Sequence, residues 1–125
     1  MRMATPRTLP LLAGGASTSA AGYVRIGSQS FDKADYVYSS IILEALLETT
    51  DVTMAAQVRL YDLTNAAVIG ADPLLSGTSL TAEYLYSAAL TLPSGLTTYE
   101  LQMKMGAGAA PDAVICSSAQ LIMRG

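Results

Sequence analysis

The sequence predicts a single all-β domain, an antiparallel β-sandwich of about seven or eight strands. Short segments alternate apolar and polar residues with a period of two, as half-buried strands do. Turn-forming residues separate these segments roughly every 8–14 residues, which is the spacing of a sandwich or a barrel. The chain is also rich in residues that favour strands, including seven tyrosines, and its 125 residues suffice for one ordinary domain.

The strands follow one another along the chain, with turns such as 62–65 and 93–95 between them. The predicted strands are residues 23–26, 36–49, 53–62, 66–69, 79–92, 99–105 and 113–123, and residues 31–34 are a polar connection. The side chains expected to be mostly buried are Met54, Val58, Leu60, Leu90, Leu92, Leu101, Met103, Ile115, Ala119 and Leu121. These side chains come from the predicted strands 53–62, 79–92, 99–105 and 113–123.

One segment permits a helical alternative. Residues 41–48 are rich in strong helix formers, and Ser39 or Ser40 could cap a helix there. As a strand, the segment would turn Leu43, Ala45 and Leu47 inward and Ile42, Glu44, Leu46 and Glu48 outward. We favour the strand because the neighbouring segments are strands and propensity yields to context.

The first 22 residues differ from the rest, which divides the chain into an extended N-terminal arm, residues 1–22, and a sandwich domain, residues 23–125. The apolar centre of the arm is too short for a secretory signal and is broken by Pro10. We expect the arm to lie on its own domain or on a neighbouring subunit, and to become ordered only on docking. The partner-binding residues predicted for it are Leu9, Leu11 and Leu12.

The chemistry of common active sites is missing from the sequence. There is no histidine, which removes the Ser-His-Asp and Cys-His arrangements and the commonest zinc ligand. Cys116 is the single cysteine and lies in an apolar run, so we expect a buried thiol. Glu44 and Glu48 share one strand face and Glu100 lies elsewhere, so no carboxylate pair across a cleft is expected. We predict no catalytic residue, no cofactor and no metal.

The composition argues against a nucleic-acid-binding protein and against a membrane-spanning one. The formal net charge is −3 and the seven basic residues are scattered, so nucleic-acid binding is not expected. No run of 18 apolar residues exists to span a membrane. Charged residues make up only 14% of the chain, against about 25% in an average domain. This shortage favours a surface that is partly covered by another protein, the alternative being a monomer coated with Ser, Thr, Gln and Asn.

Two groups of residues permit a ligand-binding interpretation beside a structural one. Asp62, Asn65 and Asp72 could form a calcium site, but turn chemistry accounts for the same residues. The pairs Tyr84 with Tyr86 and Tyr36 with Tyr38 could bind sugar or protein, or could pack in the core and its rim.

The extended arm of small residues, the compact sandwich, the low charge and the lack of catalytic groups together resemble the decoration, or cement, proteins of bacteriophage capsids. The resemblance implies a jelly-roll-like sandwich that binds the outer capsid surface and stabilises the shell. It also implies a protein made in the host cytoplasm, located on the virion exterior and assembled as a homo-oligomer, a dimer or a trimer. The competing hypothesis is a carbohydrate- or receptor-binding β-sandwich from a fibre or an adhesin.

Overall fold

Two antiparallel β-sheets face each other across an apolar core in the computed structural model, which describes residues 7–12, 14–108 and 111–125. Those residues contain ten strands, a short 3₁₀ turn at Lys33–Asp35 and no α-helix. The predicted antiparallel β-sandwich is confirmed.

Sheet A contains both ends of the described chain. Its strands are β1 (Arg7–Pro10), β2 (Ala16–Thr18), β4 (Ser40–Thr49), β8 (Glu83–Tyr86) and β10 (Val114–Arg124). The order across the sheet is β1-β10-β4-β8, with β2 also paired to β10. The long strands β4 and β10 therefore form its centre, with β1 and β2 together along one edge and β8 along the other.

Sheet B covers the other side of the core. Its strands are β3 (Val24–Asp32), β5 (Ala56–Asp62), β6 (Ala67–Ile69), β7 (Leu75–Gly77) and β9 (Leu96–Met105). The order across the sheet is β3-β9-β5-β6, with β7 also paired to β5.

The strand pairing is that of a jelly roll. If β1 with β2 and β6 with β7 are counted as single interrupted strands, the ten strands become the eight of this fold. Counted in this way, the first strand pairs with the eighth, the second with the seventh, the third with the sixth, and the fourth with the fifth. The fold is thus a long antiparallel hairpin rolled into two sheets.

The inward faces of both sheets supply the core, and the predicted core is correct except at Leu90 and Ile115, which are only partly buried. At Ile115 the physical reason is a β-bulge between Cys116 and Ser118, which shifts the register of β10 on β4. Before the bulge even-numbered residues point inward, and after it odd-numbered residues do. Ile115 therefore faces outward, although Ala119 and Leu121 face the core.

The segment with helical propensity is a strand. Residues 41–48 lie within β4, and the inward and outward sides follow the predicted alternation, although Ile42 is also nearly buried. β10 and β8 pair with the two edges of this strand, which decides the conformation against local propensity.

Several predicted boundaries need correction. β3 continues through Gly27 to Asp32, and a β-bulge between Arg25 and Gly27 shifts its register on β9 without ending the strand. Part of the predicted polar connection is therefore strand, and Phe31 is buried. The predicted strand 79–92 is regular only over β8, and the predicted strand 36–49 begins at Ser40. The short strands β1, β2 and β7 were not predicted, because none is long enough to display a period of two.

The described part of the N-terminal arm lies on its own domain, the first of the two placements that the sequence leaves open. β1 and β2 pair antiparallel with β10, and the Leu11 N–H donates to the Ala119 carbonyl oxygen at 3.0 Å. Leu11 is 2% exposed, and Leu9 and Leu12 are half-buried against the core. Binding of a partner by the three leucines stays a prediction, as do the ordering of the arm on docking and the domain boundary after residue 22.

Candidate functional site

The outer faces of the two sheets differ in chemistry, and sheet B carries the polar one. The Arg59 Nε donates to Gln102 Oε1 at 2.7 Å, and an Arg59 terminal nitrogen donates to Asp72 Oδ2 at 3.1 Å. Asp72 also accepts from the Tyr23 hydroxyl at 2.5 Å. At the neighbouring strand, Arg25 lies 3.6 Å from the Glu100 carboxylate. These charged groups have partners inside the chain.

The electrostatics of this network follow from its contacts. Burial and the hydrogen bond to Asp72 raise the pKa of Tyr23 far above its usual range. The same hydrogen bond, together with Arg59 and Lys104, holds the pKa of Asp72 below its usual value. The Arg59 guanidinium lies 4.1 Å from the centre of the Tyr23 ring and 5.4 Å from that of Tyr61. Cation–π contacts and hydrogen bonds thus hold this arginine against its own sheet.

The outer face of sheet A carries six apolar residues, set among polar ones such as Glu44, Glu48, Ser118 and Gln120 on the two central strands. We call it the apolar face, and its members are Ile42, Leu46, Tyr84, Tyr86, Ile115 and Ile122. Ile42 lies opposite Ile122 across the β4–β10 pairing, and Leu46 lies opposite Tyr84 across β4–β8. Tyr84 is 52% exposed and Tyr86 is 55% exposed. Glu44 and Gln120 lie between the Ile42–Ile122 pair and the Leu46–Tyr84 pair, and Ile42 is only 8% exposed, so the apolar side chains form small patches on this face.

A short polar row crosses the apolar face. Gln120 Nε2 donates to Glu44 Oε1 at 2.6 Å, and Glu44 lies opposite Tyr86 in the β4–β8 pairing. Desolvation of the phenol, followed by its hydrogen bond to Glu44, raises the pKa of Tyr86. The row places one carboxylate, one amide and one phenol next to each other.

The acidic residues do not converge on a cleft. Glu44 and Glu48 are on the outer face of sheet A, whereas Glu100 is on the outer face of sheet B. The apolar core lies between these two positions. Asp62 accepts from both the backbone N–H and the side-chain amide of Asn65, at 2.9 and 2.7 Å. These two bonds are those of a turn stabilised by an aspartate side chain, which is the alternative to a calcium site at these residues. Among the described residues, no three His, Cys, Asp or Glu side chains are grouped to hold a metal ion.

The two tyrosine pairs have different environments. Tyr36 and Tyr38 are half-buried against the core, and the Tyr36 ring meets Phe31 edge to face with the centroids 5.9 Å apart. The packing interpretation therefore describes this pair. Tyr84 and Tyr86 are exposed, so these two rings are available for a ligand or a partner.

Cys116 is buried, as the sequence predicts. Burial raises the pKa of its thiol to about 11, and the Sγ atom lies 3.3 Å from the Ser118 carbonyl oxygen. A neutral, buried thiol is unreactive as a nucleophile.

Two open grooves lie away from the apolar face. One, of about 420 Å³, lies between residues 10–12 and β3, and the other, of about 490 Å³, lies between Asp62 and the segment 91–94. Within the described residues, neither groove is lined by a group of His, Cys, Asp or Glu side chains that could hold a metal ion. The described part of the chain also has no helix long and apolar enough to cross a membrane.

The apolar face is the feature that sequence reasoning located only in part. The sequence identifies Tyr84 and Tyr86 and the outward side of β4, but it places Ile115 inside. The bulge in β10 moves Ile115 to the outer face, opposite Glu48. The apolar composition of 113–123 on both sides of the strand is the signal that an outer apolar surface exists there.

Comparison with known proteins identifies the fold. No family model and no curated protein matches the chain. The VP2 subviral particle of infectious bursal disease virus matches 96% of the chain and 32% of its own, with 13% identity and a TM-score of 0.58. The structure of the Gt strain of infectious bursal disease virus matches 95% of the chain and 33% of its own, with 10% identity and a TM-score of 0.57. The chain spans about a third of the length of these structures, and the likeness establishes a shared sandwich fold.

Proposed function

We propose that the chain is a non-enzymatic structural protein that binds and stabilises a larger assembly, in particular a viral shell that it decorates as a cement protein. The observation that supports this proposal is the apolar face on sheet A. The other outer face is polar and has its charges paired within the chain. The Tyr84 and Tyr86 rings are more than half exposed on sheet A, and together with Leu46 and Ile122 they make this face suited to contact with another protein.

Burial of the apolar face supplies the binding energy. Removal of apolar surface from water stabilises a complex by roughly 25 cal/mol per Å². Ile115 and Ile122 lie on the central strand β10, whose backbone is already fixed by pairing on both sides. Their burial under a partner therefore costs little conformational entropy. The glutamate in the centre of the face already has a partner in Gln120, which lowers the cost of enclosing its charge.

The fold is compatible with this role. A jelly roll is used by viral shell proteins, and the solved structures compared above are those of the VP2 subviral particle and the Gt strain of infectious bursal disease virus. A weak contact repeated on a symmetric shell gains avidity, and a protein that binds only the assembled shell stabilises it. We place the protein on the outside of the virion, after synthesis in the host cytoplasm, as a dimer or trimer.

The test is co-expression with the shell protein encoded in the same genome, followed by sedimentation of the particles through a sucrose gradient. We expect the chain to migrate with the particles and the particles to withstand more heat or urea in its presence. Ile122→Lys places a charge in the apolar face and should abolish co-migration. Leu96→Lys is the matched control, because Leu96 is 71% exposed and begins strand β9 of sheet B, away from the apolar face.

Circular dichroism must first show that both variants fold. Wild-type chain that stays at the top of the gradient, or Ile122→Lys protein that sediments as the wild type does, would contradict the proposal.

The row of Tyr86, Glu44 and Gln120 favours a second candidate, a carbohydrate- or receptor-binding module. An exposed aromatic ring next to a carboxylate and an amide provides both stacking and hydrogen bonds for a sugar. A glycan array with the purified chain tests it, with Tyr86→Ala expected to lose any signal and Tyr61→Ala, on sheet B, expected to keep it. An array without signal above background excludes this candidate for the glycans displayed.

A further inference from the structure

Strand β8 leaves one edge of sheet A open. It pairs with β4 on one side, and within the described ranges no strand pairs with its other side. The chain from residue 74 to residue 92 contains a single charged residue, Glu83, and no proline. Exposed strand edges in soluble proteins are normally protected by lysine, proline or a bulge. Strand β8 is short, with four residues, and begins with Glu83, but it has no lysine, proline or bulge, so its outer side is open to strand pairing.

The pattern of hydrogen bonds shows which backbone groups face outward. The Ser87 N–H donates to the Leu43 carbonyl oxygen at 2.9 Å. In an antiparallel ladder alternate residues bond to the same neighbour, so Leu85, opposite Ala45, also bonds to β4. The N–H and C=O groups of Tyr84 and Tyr86 therefore point away from β4. The free edge presents the backbone of the same two residues whose rings are exposed.

We propose that a second copy of this chain pairs its β8 antiparallel with this edge, around a two-fold axis at Leu85. Tyr84 of one copy then lies opposite Tyr86 of the other, and the two residues exchange their outward backbone hydrogen bonds. Both sheets A join into one continuous sheet. On its outer face the tyrosines form two cross-strand aromatic pairs, which contribute roughly 0.5–1.5 kcal/mol each beyond their buried area.

The register follows from the sequence of the strand. With Tyr84 opposite Tyr86, Glu83 lies opposite Ser87 of the second copy and the two glutamates stay apart. A shift that centres the axis on Tyr84 or on Tyr86 leaves only one tyrosine pair, and a shift to Glu83 brings like charges together. A shift that pairs Tyr84 with Leu85 sets an outward backbone group against one already bonded to β4. The proposed register pairs every exposed tyrosine of the edge.

The contact is small. Strands of four residues bury well under the roughly 1,600 Å² of a standard interface, so the isolated dimer should be weak. Its use rests on the assembly role proposed above, because copies held side by side on a shell raise the local concentration of the edge. The pairing itself needs no shell and can be measured with the purified chain.

Sedimentation equilibrium of the full chain tests the proposal with two charged variants. Tyr84→Lys/Tyr86→Lys and Tyr84→Glu/Tyr86→Glu each place like charges opposite one another in the dimer, whereas a mixture of the two places lysine opposite glutamate. We expect the wild type to move from one copy towards two between about 10 µM and 1 mM. Each variant alone should be monomeric in that range, and the equimolar mixture should associate again as a heterodimer. Leu96→Lys should associate as the wild type does.

Wild-type protein that remains monomeric at 1 mM, or a lysine variant that associates as tightly as the wild type, would overturn the proposed pairing. A mixture that fails to associate although both folded variants are present would also contradict the proposed pairing. Ile122→Lys separates this proposal from the shell-binding one, because Ile122 lies on β10, away from the edge. That variant should keep the dimer while losing the shell.

Discussion

The carbonyl group of Leu11 occupies the space in which a side chain at Gly27 would stand. A Cβ atom built on Gly27 would overlap the Leu11 oxygen and lie 2.8 Å from its carbonyl carbon and 3.2 Å from the Leu12 Cα. The segment between β1 and β2 thus crosses the edge of sheet B at backbone distance. Gln29 Nε2 donates to the Pro10 carbonyl oxygen at 3.1 Å next to this crossing. The contact fixes the N-terminal segment to the second sheet as well as to the first.

Gly27→Ala should destabilise the protein, because neither backbone can move without breaking strand pairing. We expect a loss of about 1–3 kcal/mol in the free energy of unfolding, measured by urea denaturation. Gly22→Ala is the matched control, since no atom lies within 4 Å of a Cβ there, and it should change the stability by less than about 1 kcal/mol. Equal effects of the two substitutions would show that the close approach at Gly27 does not matter.

Leu11→Ala should also be costly, since the side chain is part of the core although it lies in the N-terminal segment. The expected loss is about 2–5 kcal/mol, the usual cost of a buried leucine. Leu12→Ala, at a half-buried neighbour, should cost clearly less. The same experiment examines the N-terminal arm, because an arm that only docks on a partner would leave the stability of the isolated chain unchanged in both variants.

Cys116 should make the stability depend on pH in the alkaline range. Burial raises the pKa of its thiol from 9.0 to about 11, so the folded state holds this proton more tightly than the unfolded state does. The thiol contributes at most about 2–3 kcal/mol to the free energy of unfolding, and this contribution is fully present below pH 9. It is lost as the pH rises from 9 to about 11. Urea denaturation in reducing buffer at pH 8, 9.5 and 11 measures it.

Cys116→Ala provides the reference for that measurement. All other ionisable side chains are the same in both proteins, so the difference between the two stability curves isolates the thiol. Parallel curves from pH 8 to pH 11 would mean that the thiol titrates equally in the folded and unfolded states.

The Tyr23–Asp72 hydrogen bond predicts a shifted carboxyl titration. Because the Tyr23 hydroxyl donates to the ionised carboxylate, the pKa of Asp72 is lowered, and Tyr23→Phe should raise it. Carbon-13 NMR of the Asp72 carboxyl group as a function of pH measures this. A depressed pKa means that the stabilisation is present above the unfolded pKa of about 3.9 and is lost as the pH falls through the folded value. Tyr61→Phe, which removes a hydroxyl without this bond, should leave the titration of Asp72 in place.

Local pattern predicts the fold class and most of the core, since alternation in β4, β5 and β9 directly reports which side is buried. It does not predict the bulges at Gly27 and Cys116, because a bulge depends on how two distant strands meet. Nor does it predict that residues 7–10 are a strand, since these four residues are held by pairing with β10, more than a hundred residues away. The apolar face could be found only in part for the same reason.

The pairing of the first strand with the last has a consequence for how the domain can be linked to other proteins. Arg7 lies opposite Met123, so the two ends of the described chain leave the sandwich side by side, at one end of the molecule. Loops at residues 19, 50 and 112 meet at the other end, where Ser19 and Thr50 bond to the segment around Asp112. A host protein could therefore carry the whole sandwich as an insertion within one of its loops, with little spacer and with the far loops untouched.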